Sequence, residues 1–450
     1  MKKKVLILDQ EPLNLPFCIE CVNAGYEVYW YQGDLSDPIG PRDVGKGFPG
    51  ITIVKNWVSV IKQMYLTVCM DNGAYIERLD AFKRMGLPIY APSVKSASLE
   101  IKREVGLKFL EKHGIDVPPY HKFNTLDEAI AFLKTDKGRF VFKTLGDEED
   151  KSLSYCSKDA GDMIEHINWL KMNKLAPKNS FILQEYVKGI EFAVNTWMGS
   201  KGFISKYGES FEHKGLAAGE KGPATGEMGT VTKYVESSKL GDTLLKPLEE
   251  DLVKMGHLGN IDINCIIDEN GKAWPLEFTC RFGYPAWQMN QKQHTGDPIQ
   301  WMVDAINGKD TLQVKMDIAL CVVLVVPPFP FENDVTAYKK SMNLPIYGIT
   351  GDGVKTGNRR YLSPQFVKMG EYTVLDDKGN FKKVKDWVTA GTYYMVVTAL
   401  GDSIEQCRKR VYNTIDDLHT PGEFYRNDIG VKVLKWLPDL HKHGLGEEFK

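Results

Sequence analysis

From Val5 to Pro92 short apolar runs alternate with helical patterns: VLIL at Val5 to Leu8, YEVYWY at Tyr26 to Tyr31, ITIV at Ile51 to Val54 and LTVCM at Leu66 to Met70. Runs this short, separated by helical stretches, predict βαβ units and a parallel sheet. The spacing next predicts a helix over Ser96 to His113, stopped by Gly114, with Pro118-Pro119 beyond it. A small α+β region follows to about Gly199. Its strands are RFVFK, ending on Lys143, and SFILQEYV over Ser180 to Val187, with a helical pattern from about Ala160 to Lys171. Between Lys254 and Phe282, NIDINCIID and KAWPLEFTCRF flank Glu269-Asn270-Gly271, a hairpin turn signal. Beyond Val314 come an apolar strand, IALCVVLVVP, further strands at YTVLDD and TYYMVVTAL, and a helix near Ser403 to Asp417. Linkers near Pro92 and Gln313 divide the chain into an N-terminal βαβ domain over 1–94, a mixed domain over 95–313 with a smaller subdomain at about 118–195, and a C-terminal α+β domain over 314–450.

Composition narrows the class. The 450 residues carry 57 Lys and Arg against 59 Asp and Glu, so no global basic field recruits nucleic acid and any anionic ligand needs a local site. The start, MKKKVLILDQEP, has too short an apolar run for a signal peptide or a membrane span, and a cytoplasmic protein is expected. The eight cysteines form no dense framework and read as reduced thiols. Cys18 and Cys21 have CxxC spacing but no completing ligand set, and read as buried helix thiols. After the first strand stands Asp9-Gln10-Glu11-Pro12, where a dinucleotide fold would carry GxGxxG, which argues against NAD or FAD.

The stretch from His213 to Gly229, HKGLAAGEKGPATGEMG, is the strongest candidate for ligand contact. Its glycines let backbone N–H groups approach an anion, Lys214 adds charge and Thr225 a hydroxyl. On the hairpin, Asn264 and Glu277 lie about symmetrically around the turn, and alternation puts Glu277, Thr279 and Arg281 on one face, with Asp262 beside Asn264. One carboxylate, oxygen side chains and an arginine suit a phosphate-bound Mg²⁺. A half-exposed polar sheet face would read the same way. Lys102 and Lys143 are placed to neutralise phosphates. In QEYVKGIEF, Gln184 and Glu185 lead to Val187, whose backbone is placed for an adenine edge, and Glu191 is placed for ribose hydroxyls.

In order, Lys102, Lys143, QEYVKGIEF, the 213–229 loop and LEFTCRFGYP resemble the ATP-grasp ligases, and among them the glycinamide ribonucleotide synthetase (phosphoribosylamine–glycine ligase) family. AGTYYMVVTALGD and EFYRNDIG, Glu423 to Gly430, resemble that family's C-terminal domain. The resemblance implies an α/β and α+β ATP-grasp fold, with an N-terminal parallel-sheet (pre-ATP-grasp) domain, a lid at about 118–195 and a small C-terminal α+β domain. It implies a step of purine biosynthesis in which ATP, glycine and phosphoribosylamine give glycinamide ribonucleotide, ADP and phosphate through an acyl phosphate. Gln184, Glu185 and Val187 would then meet adenine, Glu191 the ribose, and Lys102, Lys143 and Lys151 the phosphates. Glu277, Thr279 and Asn264 would hold Mg²⁺ (or Mn²⁺), with Arg281 and Lys143 catalytic. His213, Lys214, Glu220, Gly222, Pro223, Thr225 and Gly226 would face the amino acid and the phosphorylated amine. No nucleic acid or membrane partner is implied, and a monomer or small homo-oligomer is expected.

Several positions depart from that family. The segment Gly146 to Lys151 is acidic where the family has a Gly-rich loop, Thr279 replaces a metal-binding Asn, and Gln184 replaces a Glu. Ala224 and Glu227 replace Asn and Gly, Glu220 replaces an Asp, and Asp9 to Pro12 and Met70 to Leu79 rebuild the first domain. The rebuilt acceptor side leaves open a ligase joining glycine or another small amino acid to a different, nucleotide-derived amine. The acidic 147–150 loop and Thr279 leave open a non-catalytic nucleotide-binding protein.

Overall fold

In the computed structural model, residues 2–33, 43–73, 75–145, 153–349, 361–376 and 378–450 are described. The apolar runs at the N-terminus form a five-stranded sheet in the order Ile51–Ile53, Glu27–Tyr31, Lys4–Leu8, Leu66–Cys69, Ile89–Tyr90. Every pairing in it is parallel. Val5 to Leu8 are fully buried, as a strand covered on both faces requires. Cys18 and Cys21 sit buried in the helix Leu15–Asn23. At the carboxyl edge, Asp9 takes the place of a glycine turn and is itself fully buried. Its carboxylate accepts hydrogen bonds from the Asn14 N–H at 2.9 Å, the Asn14 side chain at 2.8 Å and Trp30 Nε1 at 3.1 Å. Burial, reinforced by the neighbouring Asp71, pushes its pKa well above the usual carboxylate range.

The single helix expected over Ser96 to His113 is two helices, Val94–Ile101 and Arg103–Lys112, with Lys102 extended between them at φ −107° and ψ 87°. Helical periodicity continues through the break, so sequence spacing does not reveal it. Gly106 makes the bend possible. A Cβ there would lie 2.4 Å from the Leu99 carbonyl oxygen and 3.2 Å from the Phe278 ring, so only glycine lets the second helix fold back onto the first. The bend leaves Lys102 exposed and turns its neighbour Arg103 inward.

A four-stranded antiparallel sheet follows, ordered Tyr120–Phe123, Phe181–Glu185, Phe140–Thr144, Tyr155–Cys156. The helices Leu126–Thr135 and Ala160–Met172 pack on it around a separate core that includes Leu133, Phe140, Phe142, Met163, Ile167 and Leu183. Thr125 and Glu128 close a capping box on the first helix. Alternation buries Phe140, Phe142 and Thr144 and sends Val141 and Lys143 to the other face.

The largest sheet has eight strands in the order Ala273–Thr279, Gly259–Ile267, Ile190–Gly199, Gly202–Glu212, Gly229–Val235, Ile318–Val325, Tyr393–Gly401, Leu362–Pro364. Ile190–Gly199, assigned partly to the smaller subdomain by the sequence, pairs into this large sheet. Part of the chain past residue 314 joins this same sheet. Ile318–Val325, buried along its whole length, pairs with Gly229–Val235 on one side and Tyr393–Gly401 on the other. A three-stranded arm, Met342–Pro345, Phe381–Ala390 and Val367–Leu375, extends beyond. Among the described residues no helix is long and apolar enough to cross a membrane.

Gly106→Ala should lower unfolding free energy by about 1–3 kcal/mol, because overpacking against backbone outweighs the helix-propensity gain of alanine. Chemical denaturation reads this directly; a midpoint unchanged or raised would show that the two helices separate without cost.

Candidate active site

Polar residues of the large sheet and Lys143 of the small sheet line one cleft of about 400 Å³. Strand alternation explains which side chains enter it. Asn260, Asp262 and Asn264 come from Gly259–Ile267, Glu277 and Thr279 from Ala273–Thr279, and Ser210 and Glu212 from Gly202–Glu212. Cross-strand register sets Asn264 opposite Glu277 and Asp262 opposite Thr279, as the position of the turn predicts. Arg281 continues the same alternation past the strand end, and its Nε donates to Glu100 Oε1 at 3.2 Å. That carboxylate, with Asp71 behind it, secures the guanidinium charge. Arg103 approaches Glu277 Oε2 at 3.3 Å through Nη2, while its Nη1 is buried with no hydrogen-bond partner among the described residues.

The charges in the cleft hold one another. Lys214 Nζ lies 3.0 Å from Glu212 Oε2 and 3.2 Å from Glu191 Oε1. Burial alone would lower its pKa, but Glu212, Glu191 and Glu277 together hold it well above the ordinary lysine value. Lys143 is the reverse case: burial, with help from the Arg103 charge, brings it down to about 7. Its Nζ donates to Gln184 Oε1 at 2.8 Å. Asn264 Nδ2 donates to Glu191 at 2.8 Å and Glu212 at 3.1 Å, which leaves its Oδ1 as a buried acceptor with no partner among the described residues.

The 213–229 segment is a short hairpin, Gly215–Ala217 paired with Lys221–Ala224. Gly219 and Gly222 have φ of +73° and +81°, which glycine adopts freely, and Glu220 sits between them at +57°. His213 is fully buried, and its pKa is pushed down to about 3 by burial and by Lys432 and Arg426. Its neutral ring spans Gly229 O, 3.2 Å from Nδ1, and the Gly430 N–H, which donates to Nε2 at 3.1 Å. Glu220 pairs with Arg426 at 2.9 Å and Lys432 at 3.0 Å, and the Gly219 N–H donates to Asp428 at 2.8 Å. The hairpin is thus fastened to residues 426–432 of the C-terminal region.

Of the residues singled out from the sequence, Lys143, Lys214, Thr225, Gly226, Asn264, Glu277, Thr279 and Arg281 meet in the cleft wall. Gln184 and Glu191 stand one hydrogen bond behind it, on Lys143 and on Asn264. His213 and Glu220 face the C-terminal region, while Gly222 and Pro223 are exposed on the hairpin. Glu185 is exposed and Val187 half-buried past the end of its strand. Lys151 lies outside the described residues. Sequence reasoning missed Arg103, hidden by the helix break, and Glu100, which meets Arg281 only through folding. It also missed Glu212, which alternation with Lys214 could have found.

Comparison with known proteins bears on the fold and class of the chain. Residues 103–286 match the family model of the phosphoribosylglycinamide synthetase ATP-grasp (A) domain. A phosphoribosylamine–glycine ligase of Streptococcus pneumoniae is 25% identical over 368 residues, covering 79% of this chain and 81% of that protein. One of Vibrio parahaemolyticus is 25% identical over 370 residues, covering 79% and 80%. The crystal structure of phosphoribosylamine–glycine ligase from Thermotoga maritima superposes with a TM-score of 0.68 at 19% identity, covering 95% of this chain and 100% of that one. Fold, cleft and matched domain make the chain an ATP-grasp enzyme of the carbon–nitrogen ligase class, a class that works with ATP and a divalent metal. Within that class it is similar to phosphoribosylamine–glycine ligase.

A polyphosphate placed beside Lys143 would restore its ammonium, so ATP binding at about pH 8 should take up a fraction of a proton. Calorimetric titration in buffers of different ionisation heat reads the uptake, which should vanish in Lys143→Met. Equal uptake in both proteins would remove Lys143 from the phosphates.

Proposed function

We propose that the chain joins glycine to phosphoribosylamine at the expense of ATP, giving glycinamide ribonucleotide, ADP and phosphate. The observation that carries this reading is the opposition, across one cleft, of Lys143 from the small sheet to Glu277 and Arg281 from the large one, with Arg103 between. Lys143 and Arg103 take the nucleotide phosphates. Gln184 fixes the Lys143 ammonium, with the adenine set against Gln184, Glu185 and Val187. Glu191 orients the Asn264 amide in place of a ribose contact, since it already binds that side chain and Lys214.

The glycine carboxylate attacks the γ-phosphorus and breaks its bond to the β-phosphate, releasing ADP; the amine then attacks the carbonyl carbon of the acyl phosphate, expelling phosphate and giving up a proton as the amide forms. Arg281 stabilises the charge that builds on the carboxyl and phosphoryl oxygens in both steps. The small sheet, with its own core, is suited to cover the cleft and keep water from the acyl phosphate. Glu277 and the unpartnered Asn264 Oδ1 fit Mg²⁺ (or Mn²⁺), with Thr279 alongside, because such an ion takes one or two protein carboxylates and completes its shell with phosphate oxygens. When bound, that ion neutralises the phosphate oxygens and orients them.

A second reading keeps this chemistry and changes the amine. The carboxyl edge of the first sheet, where doubly wound sheets bind ligands, carries buried Asp9 and Asp71, and Asp71 is raised to about 6 by burial. An ionised Asp71 there disfavours a sugar phosphate.

ADP release should require ATP, Mg²⁺, glycine and phosphoribosylamine together, and Glu277→Ala should reduce it by roughly 100-fold or more while circular dichroism stays unchanged. Release that needs glycine but responds only to an unphosphorylated amine would favour the second reading, and undiminished turnover in Glu277→Ala would remove the metal assignment.

A further inference from the structure

Glu227 is a carboxyl in the wall of the cleft. It is 7% exposed, and among the described residues its Oε1 has no hydrogen-bond partner. The backbone that carries it is pinned on both sides. Thr225 donates to the Lys214 carbonyl through N–H at 2.8 Å and through Oγ1 at 2.9 Å, and the Met228 N–H donates to the His213 carbonyl at 2.8 Å. Met228 beyond it is fully buried among Ala319, Cys321 and Val323. A buried acceptor left open in this way costs stability unless a ligand supplies the donor.

The cleft also says what kind of donor. Its cations stand elsewhere: Lys143 and Arg103 approach each other near Glu277, Arg281 is held by Glu100, and Lys214 is already paired with Glu191 and Glu212. The charges that act on Glu227 are mostly carboxylates, Glu212, Glu191 and Asp262, with Lys214 the opposing one. An anion placed there would be repelled and a cation welcomed. Of the substrates in the proposed reaction, only the amino acid brings a cation, its ammonium, two bonds from the carboxylate to be activated. We infer that Glu227 receives the ammonium group of the amino acid substrate and thereby selects α-amino acids over other small carboxylic acids.

This inference rests on the ligase reading above. Burial and the neighbouring carboxylates hold the Glu227 carboxyl protonated above the usual range in the free protein. Amino acid binding therefore releases a proton, and it tightens as pH rises. The titratable groups that act on it are Glu212, Lys214, Glu191 and Asp262 of the cleft, together with Cys321 of the strand Ile318–Val325 and Tyr393 of the strand Tyr393–Gly401.

The test uses hydroxylamine as a general amine, so that acyl phosphate formation from ATP and a carboxylic acid is read as hydroxamate without the phosphorylated amine. Glycine is compared with glycolate, which carries a hydroxyl in place of the ammonium. Glu227→Gln keeps the volume and removes the charge. Its KM for glycine should rise at least about tenfold, as expected for loss of a charge-assisted hydrogen bond, and the preference for glycine over glycolate should fall by a similar factor. An unchanged KM for glycine, or equal losses with both acids, overturns the inference. In the unaltered enzyme the KM for glycine should fall as pH is raised above the usual carboxylate range; a flat profile also overturns it, whatever the variant does. Failure of the unaltered enzyme to make hydroxamate from any α-amino acid would instead overturn the ligase reading, and the role of Glu227 with it.

Discussion

The pairing of Lys214 with Glu191 and Glu212 is the interaction on which the cleft depends. Glu191, Glu212, Asp262, Glu277 and Glu227 converge on a small volume; burial and this crowding push Asp262 and Glu227 well above the usual carboxylate range, and Glu191 and Glu212 need a cation between them. Lys214 supplies it. Its two carboxylates also accept from the Asn264 amide nitrogen, which leaves the amide oxygen as a buried acceptor with no partner among the described residues. One ammonium therefore sets both the charge balance and the orientation of a neutral side chain that no charge alone would fix.

Lys214 can do this because the hairpin that carries it is tied down from outside. Arg426 is 1% exposed and binds Glu220, Asp428 and the Gly215 carbonyl at once. The neutral His213 ring adds a bridge to Gly430. Residues of the glycine-rich segment thus divide by direction. Lys214, Thr225, Gly226 and Glu227 face the cleft, while His213 and Glu220 hold the segment to the C-terminal region. That region supports the site without entering its wall, and the buried strand Ile318–Val325 makes it continuous with the sheet beneath.

The first sheet contributes in another way. Its carboxyl edge is closed by Asp9, Asn14 and Trp30, so the turn after the first strand is held by side-chain hydrogen bonds to a buried carboxyl and not by glycine. Tyr284, in the cleft wall, reaches Asn14 and links this edge to the site. The bend at Lys102 joins the same assembly from the other side, since Glu100 before it meets Arg281 and Arg103 after it meets Glu277.

Local periodicity determined most of the fold. The parallel strands, the 259–279 hairpin with its Asn264–Glu277 register, and the outward face of Lys143 follow from alternation and from one turn, all short-range constraints. The resemblance carried by LEFTCRFGYP and the 213–229 segment located the cleft. Tertiary structure alone decided the rest. A helix break hidden under continuous periodicity put Arg103 in the cleft wall and left Lys102 exposed, because the close approach of Gly106 to Leu99 is a contact between helices. The placing of the third region in the large sheet depended on strand pairing across distant sequence. The division of the glycine-rich segment into cleft-facing and scaffold-facing residues depended on Arg426, some two hundred positions away, because a charge acquires its role only from the partners that folding brings within a few ångströms.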